Sequence, residues 1–427
     1  MVIQDWDRPD PIIDDTALPV AVSPHPRALL HFSIARFFER IAHYGTRSFL
    51  IFYMIDRFGN RNVEGNYETY GILAALVIFS QIPGGLIVDI GMGRKTAVTW
   101  GGLSLAVGYF VLAFGNSATD VIGFLCIFAG MGLYGPSMFS SLAHFYRGRE
   151  VYLGAGMSYH FAAIYAGGLA ALMIVGGLAA SVLSWRQGFM VCGISMMIGQ
   201  VYLLAFAKAF NEPLLKSSAP LLEQHDPTQS KPGFPSYLAV GLITAYAVFW
   251  LSHDNQYDLL NELIKNGPFI ENFSGLLQFF ASAIAIIVLF TGAMVLAKRP
   301  GNALDRIGKG ILINVAGLAM LWIGLQLVSE ALEMAFGLRM TAVLVILWAF
   351  AEFLIVPSLY TYVLIGKQKY PNMLIGFISA AAYVPALVYL FPGSWLHIES
   401  FSGIAAIVGT AGLTAFGFWL LQEAKKK

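Results

Sequence analysis

The chain has 427 residues, 57% of them hydrophobic and only 12% charged, with a net charge of +1. Soluble domains carry roughly 25% charged residues, so a water-soluble globule is excluded: a chain of this length cannot hide so much apolar surface. The near-neutral balance leaves no footprint for nucleic acid, and Cys126 and Cys192, both inside apolar stretches, predict neither a disulfide nor a redox role.

About 20 apolar residues are needed for each helical crossing of a bilayer. In chain order the candidate spans are 28–57, 67–90, 95–115, 118–146, 155–182, 186–209, 236–263, 273–297, 306–329, 338–365, 374–392 and 400–422. The reading is therefore an all-α integral membrane protein of about twelve transmembrane helices. Residues 1–27 form a polar, acidic tail (Asp5, Asp7, Asp10, Asp14, Asp15) without the apolar core of a cleaved signal. Residues 210–235, with Pro213, Pro220, Pro227, Pro232 and Pro235 among Ser, Gln and Lys, read as a polar linker between six-helix bundles at 28–209 and 236–422. A basic tail, 423–427, ends the chain. Most Lys and Arg residues, among them Arg94, Lys95, Arg147, Arg149, Lys298, Arg299 and Lys309, fall on one side if the N-terminus is inside. That places both termini and the linker in the cytoplasm, with the chain multi-pass in the cell (inner) membrane. A 6+6 division is how many alternating-access transporters are built.

The first span holds Arg36, Glu39, Arg40, His43 and Arg47 on one helical face, at roughly 100° per residue. Charges at membrane depth are costly and face a cavity or a partner. Glu39 can pair with Arg36 one turn back or His43 one turn on, while Arg40 and Arg47 need partners elsewhere. The alternative to a pathway lining is a buried structural salt-bridge network. Between the second and third spans lies Gly85-x-x-x-Asp89-x-x-x-Gly93-Arg94-Lys95. Gly85 permits close helix approach, Asp89 sits at a helix end, and Arg94 and Lys95 can bridge to a neighbouring helix, a cluster able to latch one state and release it in another. The plainer reading is a positive-inside turn with Asp89 as counter-ion.

This loop resembles the signature of the major facilitator superfamily. The first span, with Glu39, Arg40, Tyr44, Gly45 and Arg47 in register, resembles the Glu-x-x-Glu-Arg-Phe-x-Tyr-Tyr-Gly signature of the proton-dependent oligopeptide transporters. Phe249-Trp250-Leu-Ser-His253-Asp254-Asn255-Gln256 is similar to that family's seventh-helix run, Glu352-Phe-Leu-Ile-Val-Pro357 to its tenth, and Gly130 to Pro136 with Ala155 to Ser158 to its fourth and fifth. The resemblance implies a major facilitator fold and proton-coupled uptake of peptides. It implies that first-helix carboxylates take protons, that first-helix arginine and fourth-helix lysine hold the solute's carboxylate, and that a tenth-helix glutamate holds its amine. The candidate substrate-binding or coupling residues are Arg36, Glu39, Arg40, Tyr44, Arg47, His253, Asp254 and Glu352, and because Arg40 and Arg47 need an anion, Asp254 is expected to face one of them.

Three departures bear on that pattern. Arg36 replaces the first glutamate, Gly135 stands where the fourth-helix lysine is found, and Tyr165 stands for a fifth-helix asparagine. A buried Glu352 without that lysine needs a cation, and Arg36 is expected to approach it in at least one state, with Glu39 as the nearer rival. His253 beside Asp254 and Asp258 reads as a proton relay or a hydrogen-bonded core residue; His160 and Tyr165 read as packing or cavity lining. The sequence contains no Gly-rich phosphate loop, no His/Cys metal spacing and no Ser/His/Asp constellation, so no cofactor, metal or enzyme chemistry is expected. The expected partners are a small-molecule solute, protons and the lipid bilayer, with no nucleic acid. The alternative is a transporter-like membrane subunit or scaffold of a larger complex that has lost transport.

Overall fold

Helices account for all the regular secondary structure among the described residues of the computed structural model, which are 24–58, 63–176, 184–206, 238–251, 273–327, 333–366, 369–383 and 404–425. The expected linker 210–235, His253 and Asp254 lie outside them. In chain order the helices are α1 (Ala28–Phe58), α2 (Val63–Phe79), α3 (Gln81–Ile87), α4 (Arg94–Phe114), α5 (Ser117–His144), α6 (Leu153–Ala171) and α7 (Trp185–Ala205). A second set follows: α8 (Leu238–Leu251), α9 (Phe273–Lys298), α10 (Ala303–Leu327), α11 (Glu333–Ile365), α12 (Pro371–Ala381) and α13 (Ile404–Lys425). Seven helical stretches among the described residues are long and apolar enough to cross a membrane.

Local chemistry fixes several ends. Asn116 starts α5 with a capping box: its side chain accepts from the backbone N–H groups of Ala118 and Thr119, and the Thr119 hydroxyl accepts from the Asn116 N–H. Ser184 and Gln187 repeat the device at α7. Pro371 opens α12 at its first turn, where a missing N–H costs nothing. The second expected span, 67–90, is one helical stretch over Thr69–Met92, in which Ser80 keeps helical dihedrals and its bonds to Leu76 and Gly84. Helices α2 and α3 meet at Ser80, a π turn over Val88–Met92 follows, and Gly93 at φ 77° turns the chain into α4. That left-handed conformation favours glycine.

Helices α1 and α4–α7 pack on one another, and α9–α11 with α13 form a second group. The groups meet where α6 lies against α9 and α11, and where α3 and α5 lie against α12. Buried Phe32, Leu105, Tyr109, Met138 and Phe189 fill the first group, and Trp348, Leu344 and Leu321 fill part of the second. Outer faces remain apolar: Ile90 is 71% exposed, Phe114 70% and Ile287 61%. A surface with so many large exposed apolar side chains suits lipid rather than water. Phe280 and Phe290 are likewise exposed, and Trp348 is core.

Candidate functional site

At one end of the bundle the two groups are joined through Asp89. The first N–H groups of any helix lack intrahelical partners and carry partial positive charge. Asp89 supplies both deficits for α12. Its Oδ1 accepts from the Asn372 backbone N–H at 3.2 Å and from Asn372 Nδ2 at 2.7 Å, and its Oδ2 accepts from the Met373 N–H at 2.9 Å. Ser140 of α5 donates to Asn372 Oδ1 at 2.5 Å. A Cβ on Gly85 would run into the Asn372 carbonyl, and one on Gly376 into the Gln81 carbonyl, so α3 and α12 touch backbone to backbone. Arg94 reaches His144 of α5, Nη2 to Nδ1 3.2 Å, with Lys95 half-buried beside it. Arg94 thus reaches a neighbouring helix of the first group, and the carboxylate of Asp89 links the two groups.

The charged face of α1 turns inward, with Arg36 3%, Glu39 1%, Arg40 8% and His43 5% exposed. Glu39 is held by two cations. Arg40 donates to it in a fork, Nε to Oε2 and Nη2 to Oε1, each at 2.6 Å, and Arg36 Nη1 lies 3.1 Å from Oε2. Arg40 was expected to need a partner elsewhere; instead its long side chain folds back onto the adjacent residue. The paired bonds of a guanidinium fork favour that geometry. Tyr44 lies beneath Arg40, its ring centre 5.8 Å from the guanidinium. Arg47, half-buried, donates to the Tyr70 hydroxyl of α2 at 3.3 Å and lies 5.6 Å from the ring centre of Tyr383, just past α12. His43, Arg47 and Tyr383 line a cavity of about 30 Å³, large enough to admit water.

Glu352 of α11 is 5% exposed and accepts a hydrogen bond from the Tyr165 hydroxyl of α6. In this conformation Arg36 is spent on Glu39, and no ion pair joins it to Glu352. The physical reason is proximity: Glu39 stands one helical turn away, whereas a neutral hydroxyl satisfies Glu352 without burying another charge. Tyr165 and Asn372 are the residues the sequence reading missed in role. Pro371 was the available signal for Asn372, since a helix opening there leaves bare N–H groups facing whatever packs on it. Gly135 also has a structural reason: the Gln81 amide of α3 fills the space where its side chain would stand.

Outside the spans, His25 donates to or accepts from the Tyr146 hydroxyl at 2.8 Å and meets the rings of Tyr152 and Tyr159 edge-on. Burial, then the charge of Arg149, holds its imidazole below the ordinary value.

Residues 32–388 match the Major Facilitator Superfamily. The chain is 29% identical over 201 residues to the Uncharacterized transporter YclF of Bacillus subtilis (strain 168), covering 46% of this chain and 40% of that one. It is 27% identical over 282 residues to a Di-/tripeptide transporter of Lactococcus lactis subsp. cremoris, covering 63% and 54%. The matched stretch thus spans about half or less of these relatives' length. A crystal structure of a peptide transporter POT in complex with sulfate superposes with a TM-score of 0.61 at 20% identity, covering 94% of this chain and 95% of that one. At that identity the likeness concerns the fold.

Proposed function

The chain belongs to the major facilitator superfamily, and from that premise we propose that it is a secondary active transporter carrying a small polar, peptide-like solute by alternating access, coupled to protons. It is a transport protein rather than an enzyme, with twelve helices, cytoplasmic termini and a place in the cell membrane. The observation that carries the reading is the Asp89 cap on α12. It closes one end of the bundle across the two halves with three hydrogen bonds and two glycine contacts. Bonds of this kind are worth on the order of 1 kcal/mol each, so the closure can be broken and remade.

The solute chemistry follows from the pairing of the buried charges. Arg47 has no carboxylate partner among the described residues, and Glu352 has no cation within ion-pair distance among them. One offers a site to a carboxylate and the other to an amine, the two ends of a peptide. Glu352, released from Tyr165, and Glu39, released from its arginines, are the groups able to carry protons. Relatives named as di- and tripeptide transporters support the same solute class. Arg36 and Gly135 favour the other reading, a scaffold that has lost transport. Uptake of labelled di- and tripeptides into proteoliposomes decides between them. Accumulation should require an inward proton gradient, and a folded, reconstituted protein that accumulates nothing under either condition is the scaffold.

A further inference from the structure

Folded proteins leave few buried polar groups without hydrogen bonds, and each one calls for a reason. Here several gather at one place between α1, α5 and α6. Arg36 Nε and Nη1 make no hydrogen bond, the latter touching Glu39 as a charge only. The Tyr134 hydroxyl, the Ser137 hydroxyl and His160 Nε2 make none either, although all three residues are fully buried. The ring of Phe139 ties the group together: Arg36 lies 5.3 Å from its centre and His160 5.4 Å, while Arg36 stands 5.9 Å from the centre of Tyr134. Tyr134 and Ser137 are three residues apart in α5 and so share a face. Across Phe139, with ring centres 4.4 Å apart, stands Tyr360 of the second half. The site therefore lies at the interface through which a solute would pass.

The cluster holds a cation and two hydroxyls able to donate, but no carboxylate of its own. Glu39 is the single carboxylate within ion-pair distance of Arg36 among the described residues, and the fork of Arg40 already occupies both its oxygens. Two buried cations sharing one anion leave a net positive charge, which a low-dielectric interior tolerates only with a compensating group. We infer that Arg36, Tyr134 and His160 form a second anion subsite, and that the preferred solute is an acidic tripeptide whose side-chain carboxylate sits there while its terminal carboxylate sits at Arg47. This inference rests on the peptide reading above. The spacing suits it. Arg36 and Arg47 share one face of α1, three turns or about 16 Å apart, and an extended tripeptide covers about 10 Å, with the two arginine side chains reaching across the remainder.

The test compares Glu-Ala-Ala with its isostere Gln-Ala-Ala, using thermal shift and competition binding on the purified, full-length protein, with inorganic phosphate as a third ligand. The acidic peptide should bind at least about tenfold more tightly. Arg36→Gln should abolish that preference and Tyr134→Phe should shrink it several-fold. The tyrosine variant removes an oxygen that makes no bond in the protein, so it serves if the arginine variant does not fold. Equal affinity of the two peptides for the wild type overturns the inference and leaves the peptide reading standing. Binding of phosphate but neither peptide, lost on Arg36→Gln, overturns the peptide reading and the tripeptide with it. No binding of any of the three overturns both.

Discussion

Among single residues, Asp89 shows how one carboxylate acquires a role from what faces it. Its charge is worth little in a loop, but against the bare N–H groups of α12 it both caps a helix and joins two halves. Cap and dipole together are worth about 1–2 kcal/mol, so Asp89→Ala should shift the balance toward the open form of that end roughly five- to thirty-fold. Labelling rates of a cysteine introduced at Ser140 would read the change, and an unaltered rate would mean the cap holds nothing closed. Arg36 gives a second case. A double-mutant cycle of Arg36→Gln with Glu39→Gln should show coupling of about 0.5–3 kcal/mol in thermal stability, whereas Arg36 with Glu352 should be additive. Coupling in the second cycle would restore the pairing first expected from sequence. His25 sets a pH dependence with a definite sign. Its folded-state value lies below the ordinary 6.5, so the docked neutral form contributes in full above that pH and its contribution is lost as pH falls below it. Protection factors for hydrogen exchange over residues 24–30, corrected for the intrinsic rate at each pH, should fall as pH drops from about 7.5 to about 5.5, and His25→Gln should flatten that change.

At the scale of helices, the contact between α3 and α12 is set by two glycines rather than by side chains. Gly85→Ala would place a Cβ within the Asn372 carbonyl, and Gly376→Ala one within the Gln81 carbonyl. Overpacking of this kind costs about 1–3 kcal/mol, so each variant should hold this end apart, raise its reactivity to thiol reagents and slow solute turnover more than solute binding. Normal turnover would show that the two helices need not meet. The sequence revealed the glycine in the loop motif but not its counterpart on α12, because small residues are common in membrane helices and only the crossing gives one of them meaning. Helix boundaries were more legible. The fourth expected span, 118–146, is α5 over Ser117–His144, and the sixth, 186–209, is α7 over Trp185–Ala205, each start marked by a capping residue. The π turn that ends the second span was not legible, since it leaves no apolar gap.

For the whole molecule, the expected topology puts residues 210–235 and both termini on one side of the membrane. Protease added to right-side-out and inverted vesicles should cleave there, and remove tags from either end, only in the inverted ones; cleavage of the linker and a terminus from opposite sides would refute the 6+6 arrangement. Composition and the spacing of apolar runs determined by themselves that this is a multi-pass helical membrane protein, because the bilayer demands long apolar helices whatever their neighbours. The loop motif likewise pointed to the superfamily, and helical spacing put Glu39 and Arg40 on a face that the structure buries. Tertiary structure alone decided the partners. Glu39 took both Arg36 and Arg40, Glu352 took Tyr165, and Asp89 took the start of α12. A buried charge is matched by whichever donor the packing brings within about 3 Å, and that distance is a property of how helices cross, which no single helix encodes.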